Sequence, residues 1–208
     1  MTQDERTGLI VAGGRSRRFG DRDKAVANLA GVPMIRRVAD GIAPVIDRLI
    51  VNCRTEQVSA IRSVLAGYDR PVRFVCERTP DTGPVAGIKA GLRTIEDDAY
   101  TFVTACDMPL VDSDVVAHLF NRGQGHCAVI PKAEDGRLQP LHAVYRSSEM
   151  VAACEAALAD GQRSIRAAVA ALNAVIVPPA ELRTHGSTTT FENVNTPTAL
   201  QAVSERFE

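Results

Sequence analysis

Three polar motifs in this sequence carry residues suited to handling a phosphate chain. The first is Ala12-Gly13-Gly14-Arg15-Ser16-Arg17-Arg18-Phe19-Gly20, followed by Asp23-Lys24. Adjacent glycines let the backbone approach a ligand closely, because no Cβ intervenes. Successive backbone N–H groups in such a turn surround phosphate oxygens, and Arg18 and Lys24 supply cations to neutralise a triphosphate. The spacing is neither that of a P-loop nor that of a dinucleotide-binding loop. A bare glycine pair would read as a surface turn. The cluster of Arg15, Arg17, Arg18 and Lys24 around it favours anion binding. Lysine is otherwise confined to Lys89 and Lys132, so Lys24 brings a compact ammonium into an arginine-rich chain.

The second motif, Cys106-Asp107-Met108-Pro109, ends an apolar run. A carboxylate at Asp107, facing a triphosphate site, suits magnesium. That ion commonly takes one or two carboxylates, with phosphate oxygens and water completing its shell. The third motif runs from Glu77 to Gly87. Gly83 and Pro84 make the turn into a helix whose N-terminus is expected to face the nucleotide. Gly87 and Gly91 share one face of that helix, where small residues permit close packing. Two later stretches are weaker. His142, in Gln139-Pro140-Leu141-His142, sits among apolar residues and reads as structural. In Asn193-Val194-Asn195-Thr196-Pro197, an extended backbone would send the side chains of Asn193 and Asn195 the same way. No nucleophile elbow, zinc-protease motif or Cys–His pairing stands out. Direct attack of one phosphate on another is therefore the chemistry expected, with the protein positioning groups and neutralising charge.

Positioning such groups calls for alternating strands and helices. Strands are expected at residues 8–12, 48–53, 71–76, 100–106, 127–131, 138–145 and 174–177. Helices are expected at 33–42, from Thr55 onward with Val58, Ile61, Val64 and Leu65 as its buried stripe, at 85–95, from Asp112-Ser113 to Phe120, at 147–159, at 164–172 and after Pro197. Thr196 is the candidate cap of the last helix, and residues 185–190 read as a flexible surface loop. The alternation predicts one three-layer α/β domain over residues 1–208, with a mostly parallel central sheet. The three motifs each follow a predicted strand, which gathers them at the carboxyl edge, where such sheets bind ligands.

Composition agrees with this reading. The 208 residues carry a net charge of −1 with 45% hydrophobic content, as in a soluble globular protein and unlike a basic nucleic-acid binder. No apolar run approaches the roughly 20 residues of a membrane span, and Met1 to Thr7 lacks a signal-peptide layout. The five cysteines, Cys53, Cys76, Cys106, Cys127 and Cys154, form no CxxC pair and read as reduced residues of a cytoplasmic protein.

The motifs together resemble those of the molybdenum cofactor guanylyltransferases, a Rossmann-like nucleotidyltransferase family. Val11-Ala12-Gly13-Gly14-x-Ser16-x-Arg18-Phe19-Gly20 with Asp23-Lys24-Ala25 resembles the family's LAGGxSxRMGxDKA. Gly83-Pro84-Val85-Ala86-Gly87-Ile88 resembles GPLAGL, and Cys106-Asp107-Met108-Pro109-Leu110 resembles CDMPFL. Gln139-Pro140-Leu141, Arg163-Ser164-Ile165-Arg166 and Asn193-Val194-Asn195-Thr196-Pro197 resemble later blocks, so the similarity runs from about Leu9 to Leu200. The resemblance implies transfer of GMP from GTP to molybdopterin, with or without bound metal, and release of pyrophosphate. It implies magnesium at Asp107, and contacts from the catalytic residues Arg18 and Lys24 to the triphosphate. Val11, Ala12, Gly13, Gly14, Ser16, Asn52, Glu77 and Gly83 would complete the nucleotide site. Gln139, Asn193 and Asn195 would face the pterin. Residues 7–125 would mainly serve nucleotide and metal, and residues 126–200 the acceptor. Transient contact with molybdoenzymes or cofactor-delivery proteins is also implied, with no nucleic acid or membrane partner. The sequence departs from the pattern at Phe19, where Met is usual, at His142, where an aromatic is common, and at Glu77, where Asp is usual and Asp81 lies nearby. The rival readings are a cytidylyltransferase for the same cofactor, a guanylyltransferase for a cobalamin precursor, and a non-catalytic GTP-binding adaptor that delivers cofactor. A sugar-nucleotide pyrophosphorylase would usually need a longer chain.

Overall fold

A computed structural model describes residues 5–14, 23–76, 83–96 and 98–207. Its centre is a seven-stranded sheet built from β1 (Thr7–Val11), β4 (Arg48–Cys53), β5 (Val72–Cys76), β6 (Tyr100–Ala105), β7 (Ala128–Pro131), β8 (His142–Arg146) and β9 (Ala174–Val177). The spatial order is β5-β4-β1-β6-β8-β7-β9. The chain runs outward from β1 through β4 to β5, then crosses back to place β6 on the other side of β1. β1 pairs in parallel with both β4 and β6, while β8 runs antiparallel to β6 and β7. The sheet is thus mostly parallel, as the sequence predicts, with one reversed strand.

Alternation along the strands sorts two cores onto the two faces. Ile10, Val51, Phe102 and Val144 pack with α1 (Met34–Ile42) and α4 (Ser113–Gly123). Leu9, Ile50, Val103 and Tyr145 pack with α3 (Pro84–Leu92), α5 (Ser147–Ala159) and α6 (Ile165–Ala170). Gly91 is a packing residue: a Cβ there would stand 2.7 Å from Leu9 Cδ1, so the glycine lets α3 lie close on β1. A third cluster, Leu29, Met34, Val194 and Val203, ties α8 (Pro197–Ser204) to a small hairpin, β2 (Asn28–Leu29) and β3 (Val32–Pro33).

Several local expectations are corrected. The helix expected from Thr55 begins as a 3₁₀ turn, Thr55–Gln57, before α2 (Val58–Val64); Thr55 does not cap it. The strand expected from residue 138 begins at His142, and Leu138 only bridges Lys132. The stretch at 185–190 is not a free loop. Following the short α7 (Pro179–Leu182), it enters a 3₁₀ turn at Thr188–Phe191, in which Thr190 is fully buried. The Thr190 hydroxyl meets His142 Nε2 at 3.0 Å and accepts from the Asp112 N–H at 3.0 Å. Its polarity serves this internal network, which also satisfies the entry of α4.

His142 is fully buried between the ring edges of Phe102 and Phe191, and burial pushes its pKa down from 6.5 to about 3. The folded-state value lies below the unfolded one, so the unfolded chain takes up the proton first as pH falls. The stability contributed by neutral His142 is therefore complete above about pH 6.5 and is lost toward pH 3, at up to about 1.4 kcal/mol per pH unit. Urea unfolding of the wild type should lose about 2 kcal/mol more between pH 6.5 and 5 than unfolding of His142→Asn. Equal losses would mean that His142 does not carry this dependence.

Candidate active site

The carboxyl ends of β1 and β6 meet where the strand order reverses, the usual position of a ligand crevice in such sheets. Backbone pairing continues past both ends: Cys106 N–H donates to Val11 O at 3.2 Å, and Ala12 N–H to Asn52 O at 2.7 Å. Gly13 and Gly14 follow β1 directly; Gly13 is half-buried and Gly14 exposed. A Cβ on Gly14 would meet nothing within 4 Å, so open space lies beside the backbone there. Arg15, Ser16, Arg17, Arg18, Glu77 and Asp81 lie outside the described residues.

Lys24 returns to this edge. Asp23 caps a 3₁₀ turn at Lys24–Val26, its Oδ1 accepting from Ala25 N–H at 3.0 Å. The Lys24 ammonium donates to Asp107 Oδ2 and, at 2.7 Å, to Asn195 Oδ1. The side chains of Lys24 and Asp107 are only 14% and 15% exposed, so the ion pair is largely sheltered from solvent screening. Val194 N–H donates to Asp107 O at 2.8 Å, which draws the 193–195 segment alongside the end of β6. Two motifs and the late asparagine segment therefore converge on one point.

Asp107 Oδ1 is buried and has no hydrogen-bond partner among the described residues. A buried carboxylate oxygen left in that state is costly unless something else completes it. A hard divalent cation with an oxygen-rich shell fits such an oxygen, so the residues present suit magnesium.

The remaining candidates are distributed as follows. Asn52 is fully buried at the end of β4; its amide donates to Val75 O at 3.2 Å, and its Oδ1 lacks a partner among the described residues. Gly83 holds φ +78° at the entrance of α3, and a Cβ there would stand 2.7 Å from Arg163 O. This close approach explains why a glycine begins that motif, and it brings residue 163 against it. Gln139 is half-buried between the carboxyl end of β7 and the start of β8, at the same sheet edge; its N–H donates to Pro131 O at 2.9 Å. Asn193 and Asn195 are exposed but differently engaged. The amide of Asn193 turns back to Phe191 O at 3.2 Å, whereas Asn195 reaches Lys24.

The buried thiols are not primed for attack. Burial pushes Cys106 and Cys53 up to about 12, which keeps both protonated. Cys53, Cys106 and Cys154 are buried, while Cys76 and Cys127 are partly exposed, and all five are free. Among the described residues no helix is long and apolar enough to cross a membrane.

Sequence reasoning missed Gln57 and Arg54, and it gave Asp23 no role of its own beside Lys24. Gln57 is only 2% exposed, and its amide touches both Ala12 and Asp23. A glutamine four residues after a strand end, three after the N-cap Arg54 of a turn, was the available signal.

Residues 8–175 match the profile of the MobA-like NTP transferase domain. The chain is 42% identical to a probable molybdenum cofactor guanylyltransferase of Natronomonas pharaonis, over 97% of this chain and 98% of that protein. It is 34% identical to a molybdenum cofactor guanylyltransferase of Pseudomonas putida KT2440, over 77% of this chain and 80% of that protein. Its structure is similar to that of molybdopterin-guanine dinucleotide biosynthesis protein A from Archaeoglobus fulgidus. The TM-score is 0.78 at 30% identity, covering 97% and 98% of the two chains.

Proposed function

Because the chain belongs to the MobA-like NTP transferase family and is a nucleotidyltransferase, we propose that it transfers GMP from GTP to molybdopterin, with release of pyrophosphate. The observation that carries this reading is the meeting of Lys24, Asp107 and Asn195 at the carboxyl edge between β1 and β6. The names of the relatives supply the acceptor and the base.

The terminal phosphate of the acceptor attacks the α-phosphorus of GTP. A new P–O bond forms, the bond to the β-phosphate breaks, and pyrophosphate leaves with the electron pair. An anionic phosphate needs no enzymic nucleophile, consistent with the protonated thiols and the sequestered imidazole of His142. The chain's task is alignment and charge neutralisation. Val11, Ala12 and Gly13 would contact guanine or ribose through the backbone, and Gly14, Ser16, Asn52, Glu77 and Gly83 would complete the nucleotide site. Arg18 and Lys24 neutralise the triphosphate. Asp107 would hold magnesium, which when bound lowers the charge on the phosphates. Gln139, Asn193 and Asn195 face the pterin. In this reading residues 7–125 mainly serve the nucleotide and magnesium, and residues 126–200 mainly the acceptor. The work is placed in the cytoplasm, with cofactor-delivery proteins or molybdoenzymes as transient partners.

Pyrophosphate release with molybdopterin and magnesium, compared across GTP, CTP and ATP, tests the reading. Turnover selective for GTP is expected. Preference for CTP would move the activity to the sister cytidylyl transfer. Nucleotide binding without turnover of any of the three would point to another acceptor or to the adaptor reading, and would overturn GMP transfer to molybdopterin.

A further inference from the structure

The first motif leaves β1 at Ala12 and re-enters the described structure at Asp23, and one side chain holds both points. The Nε2 of Gln57 donates to Ala12 O at 3.2 Å and to Asp23 Oδ2 at 2.7 Å. Its Oε1 accepts from Arg54 N–H at 2.8 Å, while its own N–H donates to Arg54 O at 3.0 Å. Both amide hydrogens and the amide oxygen are thus used. The orientation is fixed by chemistry: a flipped amide would set its oxygen against two acceptors and its NH₂ against an N–H. Arg54 extends the grip, donating from Nη1 to Gly14 O at 3.0 Å.

Asp23 is committed as well. Oδ1 caps the Lys24–Val26 turn and Oδ2 takes the bond from Gln57. A continuous path therefore runs from the end of β1 through Gln57 and Asp23 to Lys24 and Asp107. We propose that Gln57 is a positioning residue for nucleotide binding, tying Ala12 to Asp23 so that the Gly13 and Gly14 N–H groups and the Lys24 ammonium meet one triphosphate together. This inference rests on the nucleotide site argued above and deepens it. Gln57 touches no substrate. It holds in register the groups that do, so that nucleotide binding need not order them.

The test measures GTP binding by titration calorimetry, acceptor KM, and melting temperature. Gln57→Leu removes two donors and an acceptor; GTP Kd should rise about tenfold or more, with acceptor KM changed less than about twofold. Gln57→Glu places a second carboxylate against Asp23 Oδ2, and two such groups readily share a proton at lower pH. Its Kd, relative to wild type at the same pH, should be at least about tenfold weaker at pH 8 and approach wild type near pH 5.5. Asp23→Asn sets one NH₂ against another and should weaken binding similarly. Combining Gln57→Glu with Asp23→Asn reverses donor and acceptor at that contact and should recover part of the loss at pH 8, with Ala12 O still facing a carboxylate oxygen. Wild-type GTP affinity in both Gln57→Leu and Gln57→Glu overturns the clasp. So does a loss without pH dependence or rescue that merely follows melting temperature. A wild-type chain that binds no nucleoside triphosphate overturns the underlying site and the clasp with it.

Discussion

Asp107→Asn is expected to lower kcat for pyrophosphate release by about 10²–10³-fold, the usual cost of removing one electrostatic contributor from a reacting centre. The substitution preserves size and leaves the backbone link from Val194 N–H to Asp107 O untouched, so the turn after β6 should persist. What disappears is the negative charge opposite Lys24 and the buried oxygen suited to magnesium. The ground state should respond differently from the rate. Freed of its carboxylate partner, Lys24 offers its full charge to a triphosphate, so GTP binding without added metal should stay equal or tighten. Metal-dependent tightening should vanish. Steady-state kinetics, GTP titrations with and without magnesium, and melting curves separate these effects. A variant with wild-type kcat would remove Asp107 from the catalytic role; a melting temperature lowered well beyond the roughly 6–12 °C that stranding Lys24 would cost would make the residue structural.

The fold was legible wherever an apolar run was long and bounded by polar or turn residues. β4, α5 and β9 lie where expected, and Thr196 Oγ1 caps α8 through Ala199 N–H at 3.1 Å. The hairpin β2–β3 escaped because strands of two residues carry no periodicity. Only the positive φ of Gly31 and Ala30 marks its turn. The reversal of β8 was equally hidden, since alternation reports which face a residue occupies and not the strand's direction. Polarity misled at Thr190, whose hydroxyl is consumed inside the core. In the site, residue types pointed to Lys24 and Asp107 separately. Their contact spans 83 residues of sequence and is created by the crossover from β5 to β6. The capping position of Gln57 could be read locally, but its bonds to Ala12, just after β1, and to Asp23 could not, because tertiary structure alone joins them.

The ion pair makes the second large effect unusual in its pattern. Lys24→Met keeps the length of the side chain and removes its charge. Turnover with GTP should fall by about 10²-fold, and stability should fall too, because Asp107 is left mostly buried without its countercharge. Stranding one member of such a pair costs about 3 kcal/mol, or roughly 6–12 °C in melting temperature for a chain of this size. Magnesium should restore more stability to this variant than to wild type, since the cation then has no competitor at Asp107. Combining Lys24→Met with Asp107→Asn removes both charges, so the melting temperature should rise again above that of Lys24→Met alone. In kinetics the two losses should not multiply, because residues that act on one triphosphate as a unit are strongly non-additive. Multiplicative losses, with no stability recovered in the double variant, would mean that Lys24 and Asp107 work independently and that their contact has no part in assembling the site.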